Sequence, residues 1–118
     1  MKPVDSRQFE RIAKALADPR RFQILEAITQ AGQLSCGGIA ERFPVGQSTV
    51  SHHLKLLADA GLVEVRRQGQ HAYFSARPDV LRAYIKELRR RIGKRRRAET
   101  PGEAASREGK AETEEGSP

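Results

Sequence analysis

The run QSTVSHHLKLLADA, residues 47–60, sets hydrogen-bonding side chains among apolar ones at helical spacing. At about 100° per residue, Val50, Leu54, Leu57 and Ala58 gather on one side, and Ser48, Ser51, His52, Lys55 and Asp59 on the other. The outer side carries chemistry suited to duplex DNA. The Gln47 carboxamide matches the donor–acceptor pair that adenine shows in the major groove, and Ser48 or Thr49 can reach base edges or phosphate from the helix start. The unpaired N–H groups at that start also favour a phosphate. Lys55 suits a phosphate or a guanine. The same residues would also serve a helix that needs only solubility, so the helix alone leaves both readings open.

A second group follows within a few residues. Arg66, Arg67, Gln70 and His71 cluster around Gly69, between two runs of strand-like composition. A basic hairpin of this kind lies along a phosphate backbone or enters a minor groove. Two Arg beside a turn are often just solvated; their position shortly after a groove-reading helix is what gives them meaning.

Other chemistries find little support. No nucleophile stands with a base and an orienting acid, and no Gly-rich phosphate loop follows a strand, so neither an enzyme nor a cofactor is expected. Of the three His, His52 belongs to the outer helix side, His53 lies about 60° from Val50 and His71 is on the hairpin, so no metal site is expected. Cys36, the single Cys, falls in the first turn of a short helix, where the dipole can lower a thiol pKa. A redox sensor is one reading of it, and a small packed side chain is the other.

The elements that must position these groups are legible from caps and breakers. Residues 5–17 put Phe9, Ile12, Ala13 and Leu16 on one helical face. Asp18-Pro19 ends that helix and starts another, since Asp caps free N–H groups and Pro suits the first helical position. The second helix runs to about Ala31, is expected to carry Phe22, Leu25 and Ile28 inward, and ends at Gly32. Ser35 opens a short helix containing Ile39, Ala40 and Phe43, which Pro44-Val45-Gly46 breaks. A fourth helix runs from Gln47 to Ala60 and stops at Gly61. Leu62–Arg67 and His71–Ala76 read as two strands joined by Gln68-Gly69-Gln70, with Gly69 free to take a positive φ. A last helix starts near Pro78-Asp79 and carries Leu81, Tyr84, Ile85, Leu88 and Ile92 as an apolar stripe. The expected class is mainly α with a two-stranded β-hairpin: helix, tight turn, helix, then a basic hairpin, the order of a winged helix-turn-helix.

Bulk composition agrees. Of the 118 residues, 37% are hydrophobic and none is Trp, which is low for a domain packed along its whole length; part of the chain is expected to be unfolded or completed by another subunit. The net charge is +7, and residues 98–118 hold six Glu against two basic residues, leaving +11 on residues 1–97. Such a domain meets phosphate or an anionic surface, unless the charge only solubilises it. We therefore expect a DNA-binding and dimerisation domain over 1–97 and a disordered acidic tail over 98–118. The run KRRR at 94–97 reads either as extra grip on DNA or as a solvated helix end. No apolar run reaches membrane-spanning length, no secretory signal opens the chain, and one Cys suits a reducing cytoplasm.

The segments ALADPRRFQILEAI, LSCGGIAERF and STVSHHLKLLADAGLVEVRRQGQHAYFS resemble the ArsR/SmtB family of repressors over roughly residues 8–92. The stretch from Ser48 to Ser75 is the most specific. The resemblance implies a dimeric repressor that joins through its first and last helices and releases double-stranded DNA when an effector arrives. His53 matches the family's helix histidine and is expected to pack near the turn. The family's arsenic-type site needs a Cys pair in an ELCVCDL-like run, but here QLSCGGI has Ser35 and Gly37 at those positions. Its zinc-type site needs Asp and His on the last helix with His and Glu about a dozen residues on, but no His or Cys lies between Asp79 and Arg97. The effector stays open. So do two other readings, a thiol sensor using Cys36 and a winged-helix module for RNA or protein without operator specificity.

Overall fold

A computed structural model describes residues 2–93. Residues up to Leu88 form one compact unit, and the π-helical turn Arg89–Gly93 belongs to a second. The KRRR run and the acidic tail lie outside the described residues.

Helix α1 spans Ser6–Ala17 and begins where the Asp5 carboxylate accepts the Gln8 N–H at 2.8 Å. Helix α2, Pro19–Ala31, follows at once: Asp18 accepts the Arg21 N–H at 2.9 Å and Pro19 takes the first position, where no N–H is needed. That bond holds the Asp18 carboxyl below its ordinary pKa, with burial opposing and the Arg21 charge adding to it. Gly32 ends α2 at a φ of +88° with its N–H on the Ile28 carbonyl. After strand β1, Leu34–Ser35, comes α3, Cys36–Ala40, capped by Ser35 Oγ accepting from Gly38 N at 3.0 Å. Helix α4 is Gln47–Asp59, strands β2 and β3 are Val63–Gln68 and His71–Ala76, and α5 is Pro78–Leu88.

Gly61 turns the chain from α4 into β2 at a φ of +83°, and a Cβ there would stand 2.7 Å from the Gln8 amide nitrogen. That amide donates to the Ala60 carbonyl at 3.1 Å, so the same spot fixes α1 to the end of α4.

The core is built by four helices and the start of the sheet. Ile12, Ile24, Ile28, Ile39, Val50, Leu54, Leu57 and Leu62 are all buried, each stabilising the fold by about 1.5–3 kcal/mol relative to exposure. Helix α5 adds only Ala83 to the fully buried set. Its Leu81 and Ile85 stay exposed, and an apolar groove of about 280 Å³ runs between α2 and α5 past Leu25, Thr29 and Leu81.

Several details depart from the sequence expectation. Helix α3 ends at Ala40 and leaves Phe43 in the following turn, since Pro44 disfavours helical backbone at the residue before it. Strand β2 runs on to Gln68, which leaves Gly69-Gln70 as the turn. The hairpin gains a third strand, giving the order β1-β3-β2 with Leu34 opposite Phe74 and Ser35 opposite Tyr73. Two residues are too few to show a strand period, but their backbone groups close the free edge of β3. Phe22 does not point inward: it is 44% exposed, while Ile24 is fully buried. Phe22 lies about 110° off the centre of the Ile24, Leu25 and Ile28 arc, so its phase overrides its apolar type.

Candidate nucleic-acid interface

The inner side of α4 is set by Val50, His53, Leu54 and Leu57, all buried. The opposite side therefore faces outward, and Gln47, Ser48, Thr49, Ser51, His52 and Lys55 are all exposed. The helix start is capped by Gly46, which has no side chain to accept from the first-turn N–H groups. These donors and the positive end of the helix are left for an external anion. Lys55 pairs with Asp59 at 3.3 Å, with 71% and 52% of the two side chains exposed. Such a pair is worth only a few tenths of a kcal/mol, so a phosphate can displace the carboxylate.

His53 was expected to be a packed residue near the turn, and it is. Its Nδ1 lies 3.1 Å from an Arg21 guanidinium nitrogen. A guanidinium only donates, so Nδ1 accepts and the ring proton sits on Nε2. Burial holds the His53 pKa below its ordinary value; the nearby Asp18 carboxylate opposes this, and the Arg21 charge reinforces it. Arg21 also donates to the Ala15 carbonyl at 2.9 Å and to the Lys14 carbonyl at 3.4 Å. One guanidinium thus ties the last turn of α1 to the inner side of α4. Arg20, one residue earlier, stacks its guanidinium 5.4 Å from the centre of the Phe43 ring in the α3–α4 turn. Sequence reasoning missed both Arg. The only available signal was two cations directly after a helix cap.

The hairpin turn is tight. Gln68 pairs with His71 across Gly69-Gln70, and Gly69 has a φ of +62°. A positive φ at the first central residue only is the pattern of a type II′ turn. Arg66, Arg67, Gln70 and His71 are all exposed, but they do not form one cluster. Strand alternation puts Arg67 on the face of Val63 and Val65, and Arg66 on the opposite face, across from Tyr73. Arg66 donates to Gln33 Oε1 at 3.0 Å, and the His71 and Tyr73 rings on its face lie 6.2 Å apart.

The helix-turn-helix domain family matches residues 16–66. The repressor SdpR of Bacillus subtilis is 36% identical over 63% of this chain and 81% of its own length. The arsenical resistance operon repressor of the same organism is 33% identical over 69% and 77%. The homodimeric winged helix-turn-helix DNA-binding domain Mb0332 of Mycobacterium bovis, a possible ArsR-family regulator, superposes with a TM-score of 0.60 at 29% identity. It covers 85% of this chain and all of its own. The chain belongs to the ArsR/SmtB family of helix-turn-helix transcriptional regulators. The resemblance, the winged-helix architecture and the assignment to a DNA-binding regulator rather than an enzyme are thereby borne out.

Within this ArsR-family chain, Cys36 is the first residue of α3. It is half-buried, with its sulfur 3.9 Å from the Gln47 carbonyl. Among the described residues, no three His, Cys, Asp or Glu come together to hold a metal. Among the same residues, no helix is long and apolar enough to cross a membrane.

Proposed function

We propose that this regulator acts in the cytoplasm as a homodimeric repressor of its own or neighbouring genes, bound sequence-specifically to an inverted repeat in duplex DNA. The carrying observation is the division of α4: a buried inner side, a fully exposed polar outer side, and an N-terminus without a side-chain cap. Gln47, Ser48, Thr49, Ser51, His52 and Lys55 read the major groove and its phosphates. Arg66, Arg67, Gln70 and His71 lie along the backbone or in the adjacent minor groove. Dimerisation through α1 and α5 covers the exposed Leu81 and Ile85 and sets two α4 helices about 34–36 Å apart, one turn of DNA. The domain extends over residues 1–97, with the acidic tail beyond it.

A mobility-shift assay on the regulator's own upstream region tests this. The expected result is a shift there at concentrations that leave random duplex and RNA unbound. Equal affinity for all three supports the general RNA- or protein-binding module instead.

A thiol signal is the second reading, favoured by the contact of Cys36 with the start of α4. Hydrogen peroxide converts the thiol to a sulfenic acid and releases water, and the added oxygen must find room beside Gln47. Titrating the protein–DNA complex with metals, oxidants and persulfides, in wild type and Cys36→Ser, tests it. Release by oxidant in wild type alone is the expected result, and equal behaviour of the two proteins overturns it.

A further inference from the structure

Helix α1 has three distinct sides. Gln8, Ile12 and Ala15 form the inner one. From Ile12, Phe9, Leu16 and Ala13 lie about 40–100° to one side, and Arg7, Arg11 and Lys14 lie about 100–160° to the other. The apolar side meets α5, where the Phe9 and Tyr84 rings stand 5.0 Å apart. The basic side meets α4 in a notch of about 170 Å³ lined by Arg11, Lys14, Ala15, Arg21, Leu56 and Asp59. Leu56 and Asp59 border the outer side of α4, on the flank of His52.

The charge in this notch is uneven. Arg21 is committed to His53 and to the carbonyls of α1. Asp59 is already engaged by Lys55. Among the described residues, Arg11 and Lys14 take part in no side-chain hydrogen bond or ion pair, and both are exposed. Glu10 is the nearest acid on α1, about 40° beyond Lys14.

We infer that Arg11 and Lys14 form a second anchoring site for the phosphate backbone of duplex DNA, outside the helix-turn-helix and the wing. Helix α4 is about 20 Å long. Its uncapped start holds one phosphate strand and the α1 notch, at its far end, holds the other. The major groove between the strands is about 12 Å wide, so contacts at both ends of the helix can straddle it. Seated there, a phosphate takes Arg11 and Lys14 as donors, and the Lys55 pair offsets the charge of Asp59. This inference rests on the DNA-binding reading of α4.

The test is a salt titration of binding with the full chain, comparing wild type with the double variant Arg11→Ala/Lys14→Ala. A charge-matched control, Lys2→Ala/Lys86→Ala, removes two cations away from the notch. Loss of two phosphate contacts from each protomer, four per bound dimer, lowers the slope of log K against log salt by about 3.6, on specific and random duplex alike. Between 50 and 200 mM salt, wild-type affinity then falls roughly 150-fold more than that of the variant. Arg11→Lys, which keeps the charge, retains the wild-type slope. Equal slopes for wild type and the notch variant, or an equal drop in the control, overturn the second site while leaving the role of α4 intact. A wild-type chain that binds no duplex at all overturns both.

Discussion

Helix α4 and the wing both face DNA in the proposed complex, yet they are held in opposite ways. Along α4, every third or fourth side chain enters the core: Val50, then His53 and Leu54, then Leu57. Along β2, only Val63 is buried, and the next five residues are exposed. The helix is therefore placed by side-chain packing, and the hairpin by its backbone ladder and a tight turn. Elements with few buried apolar contacts open first. A base-reading surface needs fixed donors, whereas a phosphate-tracking one benefits from give.

The largest effect that can break this contrast is on stability. Leu57→Ala should cost about 2–5 kcal/mol, as a buried large-to-small change does. Val65→Ala, at a side chain already 44% exposed, should cost less than about 1 kcal/mol. Denaturant melts of both variants check it, and equal losses would mean that the wing is as tightly packed as the helix.

Next in size is recognition. Gln47→Ala should forfeit about 1–3 kcal/mol on the specific site and almost nothing on random duplex. Arg67→Ala, present in both wings of the dimer, should weaken both equally and lower the salt slope by about 1.8. Arg66→Ala should act in the same direction, with the added loss of its bond to Gln33. Fluorescence anisotropy with both duplexes at several salt concentrations separates the two patterns. Parallel losses for Gln47→Ala would move base reading elsewhere on α4.

The smallest effect concerns pH. The folded chain holds His53 neutral with its pKa lowered, chiefly by burial. The unfolded chain protonates it near the ordinary value of about 6.5. As pH falls below that value, the unfolded state takes up the proton first and stability declines; the decline levels off once the folded ring is also protonated. His53→Gln keeps an acceptor for Arg21 and should flatten this part of the profile in thermal melts at pH 5–8. An unchanged profile would assign the acid sensitivity to other groups.

Much of the fold was legible because its punctuation is chemical. Asp18-Pro19, Ser35 and Gly61 mark helix ends by what their side chains, or the lack of one, allow. The third strand was not legible, because Leu34 and Ser35 are too few to show alternation and their pairing partners lie 40 and 38 residues away. The inward reading of Phe22 gave residue type priority over phase. The separation of Arg66 from Arg67 follows from strand alternation but disappears when the two are read as a cluster. The outer residues of α4 were legible because helical spacing alone places them opposite Val50, Leu54 and Leu57. Arg21 was not, because its partners His53 and Ala15 meet only in three dimensions.

Ser35 ends β1 and also caps α3. Its backbone is paired with Tyr73 in the wing and its hydroxyl with Gly38 at the head of the helix pair. A single residue thus joins the two parts that face DNA in the proposed complex. A change at position 35 therefore touches the ladder of the wing and the cap of α3 at once.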